Sequence, residues 1–187
     1  MRYSFFFVGF SFFVLASCSL PGTQSEGNPS VASENTIIYD SEKVSILLPK
    51  SWTGVKLTDI PSPRVGSIIA AYKSTDVKYG FSNNIIIMQD RLSNLMTSAK
   101  YSELNNLQTT RNYLEYTKLR EEIITFTDAE TSRLYVFEAR YNETTPRMKY
   151  IQLARVCGSD VYLLHVSLTL DKSPDNYIEL LRTFRCK

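Results

Sequence analysis

Residues 148–170 read MKYIQLARVCGSDVYLLHVSLTL, two mostly apolar runs on either side of Gly158-Ser159. Both are rich in aromatic, β-branched and leucine side chains at adjacent as well as alternate positions, so neither has a face to leave in water. Strands apolar on both sides are covered on both faces. A short Gly-Ser connection between such runs signals an antiparallel hairpin. The segment therefore predicts two long paired strands, 148–157 and 160–170, in a sheet sandwiched between other layers.

Two more strands precede them, at about 118–127 and 132–142, joined by Asp128-Ala129-Glu130 and by the polar stretch 142–146. Together they form an antiparallel meander. Upstream, 98–116 is predicted helical, with Leu104, Leu107 and Leu114 as its apolar stripe, Tyr113 beside them, and Glu103, Asn106 and Arg111 on the surface. Before it lie strands at 84–89, with the run Ile85, Ile86, Ile87, Met88, and at 67–73. The folded part opens near Ile37; Val44, Ile46 and Leu48 alternate in a short strand stopped by Pro49, and Trp52 follows in a turn, placed to plug one end of the core. Val55 and Leu57 suggest another short strand. At the other end of the chain, Ser173-Pro174-Asp175 reads as the start of a helix, with the hydroxyl as N-cap and proline at the first helical position, and Tyr177, Leu181 and Phe184 as its buried side. Strands, helix, meander, helix is the order of an α+β fold: an antiparallel β-sheet with helices on both faces, an α/β/α sandwich.

The N-terminus carries a different signal. Arg2 is the only charge before Glu26, and between them run Phe5, Phe6, Phe7, Val8 and on to Leu15. A basic start, an apolar stretch of about a dozen residues and small residues after it make a secretory signal peptide. It is shorter than the roughly 20 residues that a spanning helix needs. Leu15-Ala16-Ser17-Cys18 resembles the lipobox of bacterial lipoprotein precursors, in which the cysteine thiol takes a diacylglycerol. The expected organisation is a signal at 1–17, a lipidated Cys18 with a flexible Ser/Pro/Gly/Asn-rich tether over 18–36, and one globular domain over 37–187. The domain would then face outside the cytoplasm, tied to the cell membrane or the outer membrane; Ser19 differs from the aspartate that retains lipoproteins at an inner membrane.

The hydrophobic content of 43% supplies a core for one domain. A net charge of +2 that includes Arg2, without a basic run, gives no footprint for nucleic acid. Cys157 and Cys186 remain after Cys18. In an oxidising compartment they either pair, closing a loop worth roughly 3–4 kcal/mol in the chain-entropy model, or stand as two free thiols.

Few residues offer chemistry. His165 is the single histidine, on the side of its strand shared with Ser167 and Thr169, without a Cys/His/carboxylate cluster around it in sequence. Cys157 with His165 would supply two parts of a thiol-enzyme pair, although Cys157 opens a tight turn. Glu121 and Glu122 are adjacent and so point to opposite faces of a strand. Seven glycines, none in a phosphate-loop or dinucleotide pattern, give no nucleotide cradle. We therefore expect no catalytic set, no metal and no cofactor. Tyr113, Tyr116, Tyr135, Phe137, Tyr141, Tyr150 and Tyr162 read either as sheet core and rim or as the aromatic stock of an interface.

The order of elements and three local features resemble the PsbP-like group, which includes the photosystem II extrinsic PsbP subunit, the Ran-binding Mog proteins and DcrB-type envelope lipoproteins. The features are Ile46-Leu47-Leu48-Pro49-Lys50-Ser51-Trp52, a strand running into a Pro-x-x-Trp turn; Asn84-Ile85-Ile86-Ile87-Met88 before the first helix; and Tyr177-Ile178-Glu179-Leu180-Leu181-Arg182-Thr183-Phe184 at the end. The resemblance implies a fold and a style of working, in which members bind or assemble without chemistry of their own. It transfers no catalytic or ligand residue, and the metal sites of the photosynthetic members have no counterpart motif. The expectation is a membrane-anchored envelope lipoprotein acting as a binding or assembly module with a protein partner. A small-ligand carrier is the alternative, and a thiol-dependent enzyme the remotest.

Overall fold

The computed structural model describes residues 35–63 and 65–187. Its strands are β1 (Thr36–Asp40), β2 (Val44–Pro49), β3 (Trp52–Gly54), β4 (Ser67–Lys78), β5 (Phe81–Arg91), β6 (Leu114–Thr125), β7 (Thr131–Arg140), β8 (Met148–Cys157), β9 (Asp160–Leu168) and β10 (Arg185–Cys186). Helix α1 (Ser98–Asn112) lies between β5 and β6, and α2 (Asp175–Arg182) between β9 and β10. Seven strands form one antiparallel sheet in the order β3-β4-β5-β9-β8-β7-β6, and β1-β2-β10 form a small second sheet. The predicted hairpin 148–170 is β8 and β9, near the middle of the large sheet, with Leu153 opposite Leu164 and Cys157 opposite Asp160.

Alternation along these strands sends side chains to two separate cores. On one face Ile151, Leu153, Leu164 and Val166 pack with Ile85 and Ile87, beneath Val44, Ile46 and Leu48 of β2, Ile178 and Leu181 of α2, and Phe184. Trp52, 6% exposed, closes this core and lies 5.7 Å from the ring of Tyr177. On the other face Tyr135, Phe137 and Tyr150 form one cluster and Ala154, Val161 and Leu163 another. Helix α1 lies here, against β7 and β8. The class is thus α+β, with a helix on each face.

The two ends of the sheet differ. At one, the β8–β9 turn meets the small sheet: Lys43 pairs with Asp160 at 2.8 Å, and Arg185 and Cys186 pair with Ser45 and Val44. At the other lie the β4–β5 turn, with Lys78 opposite Phe81, and the β7–β8 connection, 141–147.

Helix α1 departs from its sequence reading. Its buried side is Ser98, Ser102, Asn106 and Thr109, while Leu104 and Leu107 are 40% and 49% exposed. Asn106, expected on the surface, accepts a hydrogen bond from the Tyr116 hydroxyl at 2.9 Å. The cause is a gap in the sheet. Pairing of β7 with β8 runs from Ala139–Met148 to Tyr135–Gln152 and stops, while β8 continues along β9 to Cys157. Beyond the split, the Ala154 N–H donates to Ser102 Oγ (2.7 Å) and the Val156 N–H to Ser98 Oγ (2.9 Å). Ser132 Oγ donates to the Ala154 carbonyl at 2.6 Å, which leaves Ser102 as donor in the 3.0 Å contact between the two hydroxyls. Helix hydroxyls thus satisfy strand groups that β7 has abandoned, and a leucine there would leave them orphaned.

Three boundaries differ as well. The helix ends at Asn112, so Leu114 opens β6 rather than completing a helical stripe, and β6 starts ahead of position 118. Residues 55–59 make no strand: Val55 donates its N–H to Ala71, and Leu57–Asp59 coil into a 3₁₀ turn. Pro174 rather than Ser173 occupies the N-cap of α2, while Ser173 Oγ donates to the Asp175 carboxylate at 2.7 Å and accepts from the Asp175 N–H at 3.4 Å.

Replacing Ser102 with Ala leaves the Ala154 N–H without a partner, and unfolding in urea should show a loss of about 1–3 kcal/mol. Leu107→Ala, on the outer side of the same helix, should stay within about 0.5 kcal/mol of the parent.

Candidate functional site

Beneath the C-terminal half of α1, β6 to β9 each contribute one ring to a stack. Tyr116 lies over Phe137 at 4.8 Å, Phe137 over Tyr150 at 5.2 Å, and Tyr150 tilts against His165 at 5.3 Å. Tyr113 stands edge-on to Phe137, Tyr150 and Tyr141. Offset and edge geometries of this kind add roughly 0.5–1.5 kcal/mol per pair beyond area burial. Tyr135, Phe137, Tyr150 and Tyr162 are buried, so their rings are core; Tyr141 is 62% exposed.

His165 ends a polar line entering this cluster from α1. Thr109 Oγ1 donates to Gln152 Oε1 at 3.0 Å, and the Gln152 amide reaches His165 Nδ1 at 3.2 Å. The ring is thereby held by a hydrogen bond between Nδ1 and the side-chain amide. Burial without a countercharge pushes the imidazole down to about 4. The same burial raises Tyr150 to about 12. These groups hold a neutral hydrogen-bonded interior.

Cys157 is joined to Cys186, with 5.7 Å between their Cα atoms. The disulfide ties the end of β8 to β10, and β10 to β2. The thiol pair imagined for Cys157 and His165 is not brought together, since one is oxidised and the other points into the aromatic cluster on the opposite side of the sheet from the main core. Around the disulfide, Lys43, Tyr162 and Lys187 border an open depression of about 400 Å³. Both lysines are engaged there, Lys43 with Asp160 and Lys187 with Asp40. Glu121 bonds Lys118 and Arg133, and Glu122 lies 3.8 Å from Arg120, so neither is offered to a substrate. Between β2, β5, β9 and α2, the space in which a carrier would hold cargo measures about 10 Å³, enough for one water.

Sequence reasoning passed over Arg155. Its guanidinium is buried, donates to Asp128 at 2.8 Å and lies 5.0 Å over the Phe126 ring, pinning the β6–β7 turn to β8; burial lowers its pKa. A lone arginine within an apolar strand was the available sign. Also unread was the β4–β5 tip, where Val77 and Tyr79 stand 68% and 87% exposed. Among the described residues, no group of three or more His, Cys, Asp or Glu side chains is placed to hold a metal ion. Cys18 lies outside the described residues.

No protein-family model matches the chain, and no curated protein matches it in sequence. Solved structures do. Cyanobacterial PsbP (CyanoP) from Synechocystis sp. PCC 6803 superposes with a TM-score of 0.57 at 10% identity, over 88% of this chain and 99% of that one. The Saccharomyces cerevisiae Ran-binding protein Mog1p gives 0.51 at 9% identity, over 81% and 95%. The Pseudomonas aeruginosa protein PA94, of unknown function, gives 0.52 at 11%, over 80% and 95%. The chain has the PsbP/Mog1 fold. The sequence resemblance in the order of elements is thereby met at the level of architecture. Trp52 closes the main core as expected, although it opens β3 opposite Ser74 rather than lying in a turn.

Two measurements follow. Reduction, or Cys186→Ser, should lower the unfolding free energy by about 3–4 kcal/mol, as expected for a loop of this length. For His165, the folded pKa lies below the ordinary value near 6.5, so the unfolded chain takes the proton first. Stability should be unaffected by this group above pH 6.5, fall between 6.5 and 4 by about 3 kcal/mol at most, and level off below. His165→Gln should remove that part of the slope in urea titrations at stepped pH.

Proposed function

We propose that the chain is an envelope lipoprotein, cleaved after residue 17 and diacylated on Cys18, whose domain serves as a non-enzymatic binding or assembly module for a protein partner. The observation that carries this reading is the fate of Cys157. Of the cysteines beyond the lipobox, both are spent on one disulfide, a bond that persists in oxidising compartments outside the cytoplasm and is rare within it. An exported domain with a signal-like N-terminus and a cysteine at the cleavage point fits that chemistry. The only sequence candidates for catalysis, Cys157 and His165, are held in structural roles, which favours binding over reaction. A protein described as Ran-binding shares the fold, and the fold therefore accommodates work by recognition. No helix among the described residues is long and apolar enough to cross a membrane, so on this reading the acyl chains do the holding. At roughly 0.8 kcal/mol per buried CH₂, two or three chains hold far more firmly than one.

Palmitate labelling in growing cells should tag the parent protein and not a Cys18→Ala form, which should also accumulate with its first 17 residues uncleaved. A Cys18→Ala form processed and fractionated like the parent would end the lipoprotein reading. Crosslinking in intact cells followed by mass spectrometry should return a specific envelope protein; recovery of lipid alone would remove the partner from the proposal.

A further inference from the structure

The described chain enters the domain at one particular end of the sheet. Asn35 accepts a hydrogen bond from the Lys50 N–H at 2.8 Å, and Thr36 pairs with Pro49. Two residues on, Trp52 pairs with Ser74 of β4. Since β4 runs from Ser67, opposite Gln89, toward the tip at Lys78, the entry point lies beside the β4–β5 turn, far from the disulfide. This is the end where Val77, Tyr79, Leu170, Tyr141 and Leu114 stand exposed. Val77 and Tyr79 flank Lys78, whose ammonium reaches Asp171 at 2.6 Å and so sets Leu170 next to them.

Tyr79 is held there against its own preference. It turns the hairpin at φ +55°, a conformation suited to Gly or Asn. An ordinary L-residue loses roughly 1–2 kcal/mol in this region, and apart from the Lys78 ammonium 5.4 Å over its ring Tyr79 regains little by packing, because 87% of its surface is open. Strain of this sort points to a use for the side chain. Tyrosine at a water–hydrocarbon boundary has one, since its ring sits in the apolar layer while its hydroxyl stays wet.

We infer that this end of the domain, with Tyr79 and Val77 at its tip, rests on the surface of the bilayer to which the chain is tied. The inference rests on the proposed acylation of Cys18. The length of chain between Cys18 and Asn35 can span at most roughly 60 Å. Because the chain joins the fold at Asn35, the end bearing that residue is the one the anchor draws toward the lipid. The exposed apolar side chains of this end sit on separate turns, the β4–β5 tip, the segment after β9 and the strand ends at Leu114 and Tyr141, rather than along one groove. Shallow insertion into headgroups suits that arrangement better than a peptide partner does. Lys78, Lys149 and Lys172 lie among them, with Lys149 bonded to the carbonyls of Leu170 and Lys172.

The test uses the full chain purified with its lipid and reconstituted in phosphatidylethanolamine–phosphatidylglycerol vesicles with brominated acyl chains. Trp52 is the single tryptophan and is buried, giving a constant background. Tyr79→Trp should add emission that is blue-shifted and strongly quenched by the bromolipid. Leu95→Trp, on the loop that begins where Leu92 bonds Ser159 at the opposite end, should add emission that is not. If the chain floats with the vesicles and both probes stay bright, the orientation is wrong and the lipid anchor stands. Equal quenching of both also overturns a preferred end. A Tyr79→Trp probe shielded from iodide in native envelopes yet untouched by bromolipid means that a protein covers the tip instead. A chain that does not float removes the anchor and this inference together.

Discussion

Where β7 parts from β8, the sheet is held by hydroxyl groups rather than by backbone pairing. The path runs from the Ala154 N–H to Ser102, from Ser102 to Ser132, and back to the Ala154 carbonyl. Every donor in that ring has one acceptor, so a break in the middle of a buried sheet carries no orphaned group at Ala154. The rest of the α1 face follows from it. Short polar side chains are needed to bring a helix close enough to reach strand backbone, which fixes Ser98 and Ser102 inward. The helical period then fixes Asn106 and Thr109 on the same side. Leu104 and Leu107 are left outside by geometry, however apolar they are.

The same period misled the sequence reading. Leucines three apart in a predicted helix normally mark its buried side, and that rule assumes that what lies beneath is apolar. Here the helix must also meet two strand amides, those of Ala154 and Val156, and nothing in the order of residues announces that β7 and β8 will separate at Gln152. The hairpin 148–170, by contrast, was legible because its information is local: apolar side chains at successive positions, a Gly-Ser turn, and polar residues outside. The meander, the two-faced cover and the closing role of Trp52 were readable for the same reason. The small sheet was not. β10 is two residues long and pairs with β2 across most of the chain, and no local pattern encodes so distant a partner.

The candidate site divides along the same line. Residue types with chemistry were visible in the sequence, whereas their surroundings were not. His165 sits where Gln152 takes one nitrogen and aromatic rings surround the remainder, and only the assembled sheet shows that its charge would be stranded. Cys157 faced two readings, thiol or bridge, and it took the pairing of β10 with β2 to set Cys186 within 5.7 Å. The Tyr79 tip needed backbone angles to be noticed at all, since a Lys-Tyr-Gly turn is unremarkable as letters.

At about one residue in ten shared, what this chain has in common with cyanobacterial PsbP and Mog1p is a path through space, covering nearly all of each neighbour. A path preserved while side chains change requires positions that tolerate many fillings, and apolar strands under a helix are of that kind. The hydroxyl ring at Ala154 is not, because serine alone combines that reach with both a donor and an acceptor in so small a volume. The disulfide fastens one end of the sheet, and residues 35 and 36 join the fold at the other.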